Sequence, residues 1–176
     1  MTTDTAKSPS KTADEILDVA QDLIQTRGYS AFSYQDISDS LGIRKASIHY
    51  HFPSKTDLGV AVVDRYVARF GAGLATISAD PSQSSMAMLD YYIEPYAAFA
   101  KTPDRICLCG ALAGEILALP PELRTHVDGF FRTHQEWLAG ILKRGAARGE
   151  LTLAGGAARV NSPRAAPRLR IPASHS

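Results

Sequence analysis

Apolar side chains recur along this chain at helical spacing, and short polar clusters separate the runs. The first run sets Ile16, Val19, Ala20, Leu23 and Ile24 on one face of a helix. Thr12 with Glu15 three residues later is a capping-box pattern that opens it, and Gly28 supplies a stop. Ser33 and Asp36 repeat the box before a short helix with Ile37 and Leu41 inward, closed by Gly42. A second short helix spans 44–51, and Pro53 ends it. Ser54 and Asp57 form a third box, opening a longer helix through Leu58, Val62, Arg65, Tyr66 and Arg69. Residues 78–85, S-A-D-P-S-Q-S-S, read as a loop. Met88, Leu89, Tyr92, Ile93, Tyr96 and Phe99 then share a stripe over 86–101, and Pro95 within it predicts a kink. Residues 105–118 are small and apolar. Pro121 suits a first helical turn. The helix it starts carries Val127, Phe130, Phe131, His134, Trp137, Leu138, Ile141 and Leu142 as far as Arg148-Gly149. No segment alternates with period two, so the pattern predicts an all-α chain.

The ends differ in kind. Residues 1–11 read as a flexible polar arm. Residues 152–176 hold Pro163, Pro167 and Pro172, no acid and no apolar stripe, and read as an irregular basic tail. Between them the pattern gives four helices ahead of the 78–85 loop and a second helical block after it. The 176 residues, 45% hydrophobic, suffice for one ordinary domain or two small ones sharing a core. Net charge is +1. Arg159, Arg164, Arg168 and Arg170 carry +4 of it, which leaves −3 on the rest (1 − 4). Within that acidic remainder, residues 44–55, R-K-A-S-I-H-Y-H-F-P-S-K, hold Arg44, Lys45 and Lys55 and no acid. No apolar run reaches the roughly 18 residues of a membrane span, and the polar start lacks a secretory apolar region. Cys107 and Cys109 sit too close for a good disulfide. A cytoplasmic protein with reduced thiols is the expectation. A C-x-C pair offers too few ligands for a metal. No catalytic spacing is recognisable, so neither an enzyme nor a cofactor is expected.

Residues 34–52 fit a helix-turn-helix. Ile37 and Leu41 face inward, Ser38 is small where the helices would cross, Gly42 permits the turn and Ile43 plugs the core after it. On the second helix Ile48 and Phe52 point in, and at about 100° per residue Ala46 and Tyr50 point the opposite way. Ala46 allows close approach to a major groove. Ser47, His49 and Tyr50 can donate to phosphates or base edges. Arg44 and Lys45 sit at the end that usually meets bases. Lys55 lies in the next helix's first turn, which favours a phosphate. The plain alternative is a solvated cationic turn; the scaffold spacing of Ile37, Gly42, Ile43, Ile48 and Phe52 favours the groove.

Gly28, Phe32, Ile37, Leu41, Gly42, Ile43, Lys45, Ser47, the run H-Y-H-F-P-S-K (49–55) and Leu58 carry a specific resemblance. Residues 12–58 resemble the N-terminal DNA-binding domain of TetR-type (TetR/AcrR) bacterial transcriptional regulators. The resemblance implies a three-helix helix-turn-helix domain, linked by a long helix to a helical ligand-binding and dimerisation domain. It implies a homodimeric repressor on a palindromic operator in double-stranded DNA, released by a small molecule. By position, Ser33 and Tyr34 would touch phosphates. Arg44, Lys45, Ala46, Ser47, His49 and Tyr50 would meet the major groove, and Lys55 would hold a phosphate. His49 and His51 stand where the family commonly has tyrosine. A nearby phosphate favours charged imidazole, so operator affinity should fall as pH rises through the histidine range.

In the second half, Tyr92, Tyr96, Phe99, Phe130, Phe131, His134 and Trp137 are candidate walls of a pocket for an apolar or aromatic ligand; equally, such stripes fill cores. Cys107, near a helix start and Arg105, has surroundings that lower a thiol pKa. It resembles a branch of the family in which a cysteine at a similar place responds to electrophiles or oxidants. Two buried inert thiols are the alternative. After Leu151 the chain departs from the resemblance, because family members continue with two helices that pair across a dimer. The basic tail here reads as an arm adding nonspecific DNA affinity or as the mark of a truncated or degenerate member with impaired dimerisation. A helix-turn-helix used for protein interaction is the third reading.

Overall fold

Two of the three capping boxes close as hydrogen bonds. The Ser33 hydroxyl accepts from the Gln35 N–H while the Ser33 N–H donates to Asp36, 2.7 Å. Ser54 does the same with Asp57, at 3.1 and 2.9 Å. Each box satisfies donors that a helix start leaves orphaned. The first box does not form as expected. The chain is already helical at Lys11, so Thr12 sits inside the first turn and lacks the extended backbone an N-cap needs.

The computed structural model describes residues 11–152 except 103. The polar arm before residue 11 and the tail from 153 lie outside the described residues. Among the described residues there are seven helices and no strand: α1 Lys11–Arg27, α2 Tyr34–Leu41, α3 Lys45–His51, α4 Lys55–Ala79, α5 Ser85–Phe99, α6 Leu108–Gly114 and α7 Pro121–Ala147. The all-α expectation holds. Pro95 lies inside α5, which continues past it to Phe99, and Pro121 opens α7.

The α2–α3 turn follows from Gly42. Its φ of 64° is left-handed, where a side chain is strained, and its N–H closes α2 on the Ser38 carbonyl. Ser38 does more than leave space: its hydroxyl donates to the Ile43 carbonyl at 2.6 Å and so ties the turn. Ile48 is fully buried and Phe52 nearly so, which fixes α3 against the bundle.

The apolar core does not stop at residue 58. Ile16 and Ile24 of α1, Ile37 of α2, Ile48 of α3 and Leu58 and Val62 of α4 form one cluster with Leu108 and Leu112 of α6 and Leu123 and Val127 of α7. Burying each such side chain contributes about 1.5–3 kcal/mol. Polar ties reinforce the cluster. Arg65 of α4 pairs with Asp18 of α1 at 2.8 Å. The buried Gln25 on α1 clasps the segment before α6: its side chain donates to the Ile106 carbonyl at 2.9 Å, and its own carbonyl accepts from the Ile106 N–H at 3.3 Å. Arg105 pairs with Asp22. At the far end of α6, Glu115 accepts from the Ser30 N–H at 2.9 Å.

Candidate nucleic-acid interface and sensor cavity

The outward face of α3 is as the 100° rotation predicts. Arg44, Lys45, Ala46 and His49 are exposed, Ser47 is half-buried, and Tyr50 is 81% exposed. Such exposure of a large ring beside a fully buried Ile48 is unusual for packing and expected for a surface that meets a partner. Neither Arg44 nor Lys45 has an ion-pair partner among the described residues. His49 is set by two contacts: Nδ1 lies 3.1 Å from the Pro53 carbonyl, and the ring lies 4.7 Å from that of Tyr34. His51 is half-buried, edge-on to Tyr50 at 5.1 Å.

Ser33, Tyr34, Lys45, His49 and Lys55 come together around one depression of about 430 Å³, with Phe32 and Gln35 completing it. Gln35 is the residue sequence reasoning passed over. It is the second residue of α2, beside Ser33, and its position in the box is the signal that could have found it. Two of the expected phosphate contacts are engaged by the protein itself. Tyr34 is buried, and its hydroxyl donates to the Phe52 carbonyl at 2.8 Å. Burial, with Asp57 and Tyr29 adding, pushes its phenol up to about 12. Lys55 is half-buried, donates to the Phe32 carbonyl, and lies over the Tyr29 and Phe32 rings at 4.7 and 4.4 Å. Burial lowers its pKa, against the pull of Glu115 and Asp36.

The candidate wall residues of α5 and α7 form an aromatic cluster. His134, buried, lies 3.8 Å from the Phe130 ring centroid and 4.8 Å from that of Phe70. Its Nδ1 is 3.2 Å from the Tyr92 hydroxyl. Burial lowers its pKa. Tyr92 stacks on Trp137 at 5.6 Å and lies 5.5 Å from Tyr96. The Trp137 indole donates to Ser78 at 2.9 Å. Phe131 is partly exposed at the cluster edge, against Phe130. Phe99 is half-buried at the end of α5. The open volume lies beside this cluster. A cavity of about 400 Å³ is bounded by Gln21 of α1, Tyr66, Arg69 and Phe70 of α4, and Tyr91, Glu94 and Pro95 of α5. Of the seven expected wall residues, none lines it. Sequence reasoning missed Tyr66 and Phe70 as walls, although their four-residue spacing on α4 was visible.

Cys107 caps α6 and is half-buried, and Cys109 is fully buried. Burial, with Cys107 nearby, pushes the Cys109 thiol up to about 12. Arg105, expected to activate Cys107, is held by Asp22. Among the described residues no cluster suits a metal, and no helix is long and apolar enough to cross a membrane.

Comparison with known proteins agrees with this geometry. Residues 16–62 match the family described as bacterial regulatory proteins, tetR family. A solved TetR-family transcriptional regulator from Agrobacterium tumefaciens is 41% identical, with a TM-score of 0.78 over 87% of this chain and 81% of that one. A TetR transcriptional regulator from Legionella pneumophila is 37% identical, with a TM-score of 0.73 over 79% and 75%. Among curated proteins, the transcriptional regulator AcuR of Cereibacter sphaeroides is 29% identical over 128 residues. That alignment spans 72% of this chain but only 58% of AcuR. The buried anchors of α3, its exposed cationic face and the two close structural relatives lead to one conclusion: the chain belongs to the TetR family of bacterial regulatory proteins.

Proposed function

We propose that this chain is a DNA-binding transcriptional repressor that grips a palindromic operator as a homodimer and is released when a small molecule occupies its helical half. The observation that carries this reading is α3, held inward by Ile48 and Phe52 while Arg44, Lys45, Ala46 and Tyr50 stand exposed. Ser47 and His49 flank that face. Arg44 and Lys45 meet base edges or phosphates first, and the depression beside them seats a phosphate against Ser33, Gln35 and Lys55. Lys55 spends one N–H on Phe32 and keeps two of its three donors. Tyr34 positions α3 from beneath. The activity needs no chemistry at the site, only binding and release. Residues 12–58 supply the DNA contacts and 59–151 the sensing, with α6 of the second packed into the core of the first.

Two copies are needed because one recognition helix reaches a single half-site and gives up much of the affinity. A gel shift on the DNA upstream of its own coding sequence, beside a sizing run, tests the reading. Wild type should run as a dimer and shift the DNA, and alanine at both Arg44 and Lys45 should abolish the shift. A monomer that shifts no palindromic DNA would refute it. Cysteine modification is a second route to release. Cys107 is the more accessible thiol of the two, so Cys107→Ser should remove any derepression by electrophiles.

A further inference from the structure

The cavity between α1, α4 and α5 has a chemistry of its own. The arginine that lines it differs in its partners from others nearby in sequence or structure. Arg65 pairs with Asp18 and Arg105 with Asp22, but Arg69 is exposed and has no carboxylate partner among the described residues. Glu94 lines the same cavity, also exposed, and has no cation in ion-pair range among the described residues. Two opposite charges thus face one cavity without pairing to each other. The same cavity has an aromatic wall. Tyr66 and Phe70 are nearly parallel, their planes 25° apart and centroids 6.5 Å apart. Gly73 leaves room for Tyr91 to reach across α4: a Cβ there would lie 2.4 Å from the Tyr91 hydroxyl. A volume of about 400 Å³ falls within the range of small-molecule sites.

We propose that this cavity binds a flat aromatic carboxylate that also carries an N–H or O–H donor. The carboxylate pairs with the Arg69 guanidinium, the ring lies against Tyr66, Phe70 and Tyr91, and the donor meets Glu94. This deepens the repressor reading and rests on it for the meaning of binding. Gln21, on the helix that carries the DNA-binding half, borders the same cavity and donates to Gln25 at 3.2 Å. An occupant therefore touches both halves of the chain.

Calorimetric titration of the full chain with three probes tests the site. Indole-3-acetate has both groups, indole-3-acetamide lacks the charge, and 1-methylindole-3-acetate lacks the donor. Wild type should bind the first at least ~10-fold more tightly than either of the others. Arg69→Gln should erase the preference for acid over amide, and Glu94→Ala, which removes the acceptor, the preference for N–H over N-methyl, with both variants keeping the wild-type melting curve. Gly73→Ala, which displaces Tyr91 without altering charge, should weaken all three probes. Failure of wild type to bind indole-3-acetate, or discrimination that survives in Arg69→Gln, overturns the site. Operator release separates this from the repressor reading. If the acid binds with the expected discrimination while DNA stays bound, the site stands and the effector role falls. If other compounds release DNA equally from wild type and Arg69→Gln and no aromatic acid binds, the effector role stands and the site falls.

Discussion

Replacing Tyr34 by phenylalanine removes one oxygen and tests how the recognition helix is held. The Tyr34 hydroxyl donates to the Phe52 carbonyl at 2.8 Å, and both residues are only 8% exposed. Phe52 is the residue that caps α3. A seven-residue helix is too short to be stable alone, so its position depends on Ile48, Phe52 and this bond. In Tyr34→Phe the carbonyl is left buried without its partner, which costs about 1–3 kcal/mol. Urea unfolding should therefore show a lower midpoint with an unchanged slope. DNA affinity should fall in step, because α3 is less firmly set, while its salt dependence stays the same. The competing role for Tyr34, direct contact with a phosphate, makes the opposite prediction for stability. Weaker DNA binding with an unchanged urea midpoint would refute the positioning argument and put the hydroxyl on the DNA.

Arg44→Ala and Lys45→Ala should each lower DNA affinity and reduce the slope of log affinity against log salt by about 1, read by fluorescence anisotropy. His134 gives a pH dependence whose sign follows from burial. Its folded pKa is lowered from 6.5, so near and below that value the unfolded chain binds a proton that the folded chain resists. Stability from this residue is present above pH 6.5 and lost as pH falls through the folded pKa. His134→Phe should flatten the urea midpoint across that window. Gln25→Leu should cost about 1–2 kcal/mol in the same assay, because the Ile106 carbonyl loses its donor.

Local features were legible in the sequence, and features made by distant residues were not. Ser33 and Ser54 could be read as caps because a box closes within four residues. The inward Ile48 and outward Tyr50 follow from helical rotation alone. Tyr34 and Lys55 were legible as chemistry but not as direction. A tyrosine or lysine in a first helical turn can reach outward to phosphate or back to a carbonyl, and residues 18 and 23 positions away decide which. The aromatic stripe of α5 and α7 could not be told from a pocket wall, because periodicity records a buried face and not what fills the space beside it. The cavity needs three helices at once, and its borders on α1 and α4 carry no joint pattern in the sequence. Nor did the small apolar run 105–118 announce that Leu108 and Leu112 complete the core beneath α1.

That placement of α6 ties the chain beyond α4 to the helix-turn-helix. α6 has seven residues and no side-chain cap, so it persists only through its neighbours. At its start Ile106 and Arg105 are tied to Gln25 and Asp22 of α1. At its end, burial works to raise the Glu115 pKa, but hydrogen bonds from Ser30 and Tyr29, with Lys55 nearby, outweigh it and hold the carboxylate ionised. Burial lowers the Lys55 pKa and the same Glu115 opposes that shift, at the rim of the depression beside α3. On its other side α6 begins at Cys107, near Tyr66 and Tyr96, whose phenols are pushed up chiefly by burial, with Cys107 adding. Tyr66 is also a wall of the open cavity. A shift of Tyr66 or Cys107 would therefore reach a segment tied to α1 and the loop after it. Glu115 therefore joins the end of α6 to Lys55, so the segment after α5 and the helix-turn-helix are linked through one pair of opposite charges.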